Sequence, residues 1–389
     1  MTGAFILILV YTYYYTDRET ADIFKYFDDS KIMFDALKSK PVDFFKMFFG
    51  IANDNEYFNI HYYDKMNYWY FLYNQNDVYS DSHVMIRLNV FLRFLSFGYY
   101  PVHAVLMTFF SYSGLISIFK FFSNALSLLK SRLLFIGISI LPSIVFWTSG
   151  VIKEALVLGM IGLFLFSFQN IKRNILLKSL LLLCSLLVMY YLKFYVFIAF
   201  VVAFAPFAVN LKLKKPLLIN SISIVFFVVS FIVLNYFSND SILNLVQLKQ
   251  ESFFQLAKNN TVNSFFNIPE IHSVFDIFKY APNALYNALL RPNIFSFHSL
   301  FELLSGIENS IVFLILIIAL FYIKKAKINN PYFLFASIFI TLLFSIIGLT
   351  VPIAGAIVRY KTPALPFLIF IIVYIINIDK IAFLKFLKQ

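Results

Sequence analysis

Ten long apolar stretches divide this 389-residue chain, and basic side chains gather three at a time in every second gap between them. A helix needs about 20 mostly apolar residues to cross a hydrocarbon layer roughly 30 Å thick. The stretches that meet or approach this are 3–15, 102–122, 133–147, 152–168, 175–191, 194–209, 217–237, 307–323, 332–349 and 365–378. The first is short, and the tight pairs 133–168 and 175–209 are also compatible with re-entrant hairpins. The triplets are Lys120, Lys130 and Arg132; Lys172, Arg173 and Lys178; Lys212, Lys214 and Lys215; Lys324, Lys325 and Lys327; and, after the last stretch, Lys380, Lys385 and Lys388. Short loops rich in Lys and Arg stay on the cytoplasmic side. The pattern therefore predicts an all-α, polytopic membrane protein of about ten transmembrane helices with both termini cytoplasmic. The whole of 1–389 reads as a single integral-membrane domain.

Composition agrees. The chain is 61% hydrophobic and 13% charged, against about 45–50% and about 25% in soluble domains, so too little polar side chain exists to cover a water-soluble surface. The only cysteine, Cys184, lies in an apolar run and excludes a disulfide framework or a multi-cysteine metal centre. A net charge of +12 suggests nucleic acid only when the cations form one block. Here they are dispersed, so no nucleic-acid partner is expected. No P-loop or Gly-rich dinucleotide fingerprint occurs, which argues against a cytosolic nucleotide substrate. After the first apolar run the tyrosines lead directly into Thr16 and Asp17 with no small-residue cleavage site, the pattern of a retained helix.

The alternation sends most other polar residues to the opposite face, in a long first external loop (16–100) and a second large one (238–304). Twelve of the twenty acids lie between Asp17 and Asp81. Within the first loop, 28–45, 57–73 and 83–97 read as amphipathic, aromatic-rich helices of the kind that lie in the membrane interface. At its start, Asp22 and Tyr26 are four residues apart and share a helical face, with Asp28 and Asp29 close by. A carboxylate at the lipid boundary is partly desolvated, which makes it a stronger base and a candidate ligand for a hard divalent cation such as Mg or Mn. Dipole complementarity at a helix start explains the same acids structurally. The histidines show no metal-ligand spacing.

Three short segments then carry a resemblance: the acidic opening 20–29, the segment 146–154 (Phe-Trp-Thr-Ser-Gly-Val-Ile-Lys-Glu), and 355–366 (Gly-Ala-Ile-Val-Arg-Tyr-Lys-Thr-Pro-Ala-Leu-Pro). With the overall layout, they resemble the GT-C superfamily of integral-membrane glycosyltransferases and bacterial surface-polysaccharide polymerases. The resemblance implies a polyprenyl-phosphate-linked sugar or glycan donor and a catalytic base in the first external loop; no cofactor is assigned beyond the candidate divalent cation. Asp22 is then the first candidate, followed by Asp28 and Asp29.

Four cations suit the donor phosphate. Lys153 stands at the external end of a helix beside Glu154, where ionisable groups near membrane depth face a cavity or each other. Arg359 and Lys361 fall in a short outer junction, against the positive-inside trend, and a guanidinium fork matches phosphate oxygens. Pro352, Pro363 and Pro366 are expected to keep helices from sealing that junction. Arg291 is the fourth. Tyr26, Glu154 and Tyr360 complete the expected site as acceptor-binding or site-shaping residues. The expected function is sugar transfer from a lipid-linked donor on the extracytoplasmic face of a bacterial cytoplasmic membrane, in cell-envelope polysaccharide assembly. Alternatives are a transporter or flippase of lipid-linked glycans, disfavoured by spans nearly free of charge at their centres, or a non-catalytic subunit of a polysaccharide export machine.

Overall fold

The computed structural model describes residues 2–15, 17–19, 21, 23–51, 55–69, 81–237, 242–259, 264–323 and 329–377. Asp22 and the basic triplets at 324–327 and 380–388 lie outside these residues. The described chain is all-helical: α1 (Thr2–Tyr13), α2 (Lys25–Ser39), α3 (Pro41–Phe49), α4 (Glu56–His61), α5 (Asp81–Ser96), α6 (Tyr100–Ser123), α7 (Leu128–Ile140), α8 (Pro142–Trp147), α9 (Lys153–Gln169), α10 (Ile175–Leu192), α11 (Phe194–Leu213), α12 (Pro216–Phe237), α13 (Ile242–Asn259), α14 (Val274–Leu290), α15 (Leu300–Phe321), α16 (Pro331–Thr350), α17 (Ala354–Lys361) and α18 (Leu365–Ile375).

Among the described residues, six helices are long and apolar enough to cross a membrane: α6, α10, α11, α15, α16 and the continuous segment Ala354–Ile375. This is a multi-pass membrane protein. The other expected crossings are met by shorter pieces. α1 has 12 residues. The expected 133–147 run is broken at Leu141, because a residue before proline avoids the helical region and Pro142 opens a new helix. α9 has 17 residues, about 26 Å at the standard rise. α12 is the exception, with 22 residues. The expected helix 28–45 is likewise divided at Lys40, where Pro41 begins α3.

The larger departure concerns 350–363, expected as an outer junction. Instead, residues 354–361 are helical, 362–364 form a 3-10 turn and α18 follows at once. Proline is tolerated in a first helical turn, where its missing N–H has no partner to lose. Pro363 and Pro366 occupy such positions and leave the segment unbroken, so Arg359 and Lys361 belong to a span-length helical segment.

The residues form two compact units, Met1–Ile118 with Val145–Phe194, and Phe119–Ile144 with Tyr195–Gln389. In the first unit α6 crosses α9 through glycines. A Cβ on Gly114 would sit 2.6 Å from Gly159 Cα, and one on Gly162 would overlap the Gly114 carbonyl oxygen. Small residues let backbones approach where hydrophobicity cannot drive association. α9 also packs along α10, and α2 against α5. The latter pair is tied by buried Arg93, which donates through Nε to Ser30 Oγ (2.8 Å) and through Nη2 to the Phe27 carbonyl (2.5 Å). Burial lowers its pKa, with Asp35 and Asp28 opposing that shift.

The second unit is built on packed phenylalanines, including Phe122 stacked on Phe370 (ring centroids 4.0 Å apart) and Phe339 tilted against Phe367 (4.6 Å). Aromatic pairs add directional attraction to area burial. α14 and α16 touch backbone to backbone, since a Cβ on Gly348 would overlap the Ala284 carbonyl oxygen. At one end, Lys130 Nζ donates to the carbonyls of Tyr374 (2.8 Å) and Ile376 (2.6 Å), and Asn377 N–H donates to the Tyr322 carbonyl (2.9 Å). The first turn of α7 and the last residues of α15 and α18 therefore share one end of this unit.

Candidate functional site

The first unit holds the acidic candidates, and both described aspartates have structural employment. Asp28 accepts from the Arg18 fork at both oxygens (Nε to Oδ2 2.9 Å, Nη2 to Oδ1 2.8 Å). Asp29 points inward, and its oxygens accept the backbone N–H groups of Asn67 (3.0 Å) and Tyr68 (2.8 Å), pinning 67–69 against α2. Desolvation raises the Asp29 pKa, opposed by those two N–H donors.

The N-terminus of α9 carries two ion pairs of this unit. Lys153 Nζ lies 2.6 Å from Asp81 Oδ2 and 5.0 Å from the centroid of buried Tyr26. Lys25 approaches the same ring at 5.1 Å and that of Tyr68 at 4.5 Å. Glu154 is fully buried and pairs with buried Lys193. Lys153 and Glu154, adjacent in sequence, therefore serve different partners. Asp81 and Lys193 do not stand out in the sequence as site residues, because each pairing spans tens of residues.

In the second unit the geometry sorts the remaining cations. Lys361 is buried. Its Nζ donates to the Ala288 carbonyl in the last turn of α14 (3.0 Å) and to Asn309 Oδ1 on α15 (2.7 Å). Glu308 is near enough to act on Lys361 by its charge, and Glu308 Oε2 accepts the Ser143 N–H at 2.8 Å. Arg359, two residues before Lys361 and so on another side of the helix, is half-buried. The Tyr360 ring lies 6.1 Å from those of Tyr195 and Phe253.

Arg291 differs from these. It follows α14 directly, its Nε donates to Asn287 Oδ1 (3.1 Å), and its guanidinium carbon stands 4.0 Å over the Phe266 ring. Phe266 is held by its own N–H to the Pro352 carbonyl (2.9 Å), beside an antiparallel bridge of Phe265 with Ile353. Among the described residues no carboxylate pairs with Arg291, and its two Nη groups carry no protein acceptor. Desolvation lowers its pKa while nearby Tyr286 raises it. A partly desolvated, oriented guanidinium with its terminal donors open is suited to an oxyanion.

Asn309 joins these parts. Its Nδ2 donates to the carbonyls of Arg291 and Pro292, both at 3.0 Å, while its Oδ1 accepts Lys361. Thus Arg291 and Lys361 are brought together through Asn309, whereas Lys153 belongs to the other unit. Asn287 was legible in principle as the i, i+4 neighbour of Arg291. Glu308 and Asn309 were legible as polar residues opening an apolar run. Among the described residues no three of His, Cys, Asp and Glu stand together as a metal site. No protein-family model, curated protein or solved structure matches the chain.

Proposed function

We propose that this chain is a membrane enzyme that transfers a sugar or glycan from a polyprenyl-phosphate-linked donor, with its chemistry on the extracytoplasmic face of a bacterial cytoplasmic membrane. The observation that carries the reading is Arg291: a guanidinium held by Asn287 and Phe266, partly desolvated, with both Nη groups open to a phosphate. An apolar exterior gives a lipid tail access without leaving the bilayer. Charge neutralisation of the departing phosphate stabilises what grows in the transition state. Arg359 is proposed as a second cation for the phosphate from its place in the sequence alone, two residues before Lys361. Lys361, already engaged by Asn309, is a supporting charge. Asp22 is the proposed base because Asp28 and Asp29 are occupied by Arg18 and by backbone amides. Ten crossings with interfacial helices in 16–100 remain the proposed topology. The meeting of Lys130 with 374–376 supports placing those ends on one, cytoplasmic, side.

The test is glycan transfer in membranes carrying Asp22→Asn or Arg291→Gln at normal protein levels. Loss of transfer in both supports the reading, and retained transfer in Arg291→Gln removes it. One observation favours a transporter instead: Glu308 and Lys361 lie inside span-length helices, and ionisable groups there mark transport paths. Translocation of a lipid-linked glycan by the purified chain in liposomes, without new glycosidic bonds, selects that alternative.

A further inference from the structure

We propose that Lys361 and Asn309 are positioning residues for an oxyanion site at Arg291, acting through the last turn of α14 and the Arg291–Pro292 turn rather than touching the anion themselves. The inference rests on the phosphate role proposed above for Arg291.

The Lys361 ammonium makes two inward hydrogen bonds: one holds the Ala288 carbonyl, three residues before Arg291, and one holds Asn309 Oδ1. The Asn309 amide then holds the carbonyls of Arg291 and Pro292. The main chain on either side of the Arg291 side chain is therefore fixed by a single Lys–Asn unit, while Asn287 and Phe266 fix the guanidinium. Electrostatics gives the unit a second task. The C-terminus of a helix carries roughly half a negative charge on its free carbonyls, which repels an anion. Arg291 follows the C-terminal residue of α14, Leu290. The Lys361 ammonium on the Ala288 carbonyl offsets that field at the place where an oxyanion would dock. Lys361 is buried to 2% exposure, which suits support from behind better than contact with a ligand arriving from outside.

The experiment measures binding of farnesyl phosphate to the full-length chain in phosphatidylcholine nanodiscs, with thermal unfolding of each sample in parallel. Arg291→Gln is expected to weaken binding by about ten-fold or more, as loss of a bidentate charged contact does. Lys361→Met is expected to weaken it by about three- to ten-fold, and Asn309→Leu, a second route to the same lesion, by a similar factor. The double variant Lys361→Met/Arg291→Gln should bind no more weakly than Arg291→Gln alone, because a positioning residue has nothing left to position. Multiplying effects in the double variant would make Lys361 a direct ligand and overturn the proposal. Lowered thermal stability with unchanged affinity in both Lys361→Met and Asn309→Leu would make the unit merely structural and overturn it equally. If Arg291→Gln itself binds as wild type does, the phosphate reading fails first. Inorganic phosphate and phosphatidylglycerol, run as competitors, separate a free anion or bulk headgroup from an isoprenyl phosphate. Either displacing farnesyl phosphate at equal concentration overturns the donor assignment, and the double-variant comparison still decides the positioning role.

Discussion

Lys153 Nζ and Asp81 Oδ2 stand 2.6 Å apart at the meeting of α9 with the start of α5, and the lysine side chain is only 10% exposed. Removing the carboxylate leaves a nearly buried ammonium without its partner. Asp81→Asn should lower unfolding stability by about 1–3 kcal/mol, the range for an abandoned charged group whose partner was itself partly in water. Adding Lys153→Met should recover part of the loss, since an apolar pair tolerates burial better than a lone charge. Denaturant unfolding in detergent measures both; a double variant less stable than Asp81→Asn would contradict the pairing.

Asp29 predicts a pH dependence. Burial lifts its carboxyl above the ordinary 3.8, so the folded chain holds this proton more tightly than the unfolded chain. Above 3.8 and up to the raised value the folded state binds more protons, and stability falls as pH rises through that window. Below 3.8 both states are protonated and the effect vanishes. Wild type should therefore lose thermal stability relative to Asp29→Asn as pH is raised from 3.8, then run parallel to it. A relative gain over that range would contradict the burial of the carboxyl.

The close approach of α14 and α16 leaves no room for a methyl group at Gly348. Gly348→Ala should destabilise the second unit by about 1–3 kcal/mol, the usual penalty of overpacking. Gly355, with nothing within 4 Å of its would-be Cβ, is the control: Gly355→Ala should leave the melting temperature unchanged or slightly raised, because a helical alanine is favoured over glycine. Equal loss in both variants would contradict the glycine-mediated contact.

Hydrophobic length identified α6, α10, α11, α15 and α16 to within a turn or so at most ends, because a span-length apolar run has few other ways to satisfy its backbone. It misplaced Arg359 and Lys361, since three prolines read as a break when two of them sit in first-turn positions that a helix accepts. The cations were identified as a group, but their division of labour was not. Only folding sets Lys361 against Asn309, Lys153 against Asp81, and Arg291 against an aromatic ring with its donors left open. Asp28 and Asp29 stood next after Asp22 in sequence, and only folding gives them the Arg18 fork and the backbone amides at 67–68.

The direct test of the Arg291 site is photo-cross-linking. A farnesyl phosphate bearing a diazirine beside its phosphate is irradiated with the full-length chain in nanodiscs, and the labelled peptides are mapped. Adducts are expected in residues 264–293 and should disappear in Arg291→Gln. Adducts scattered over the lipid-facing helices, with the same pattern in Arg291→Gln, would contradict a phosphate site at this guanidinium.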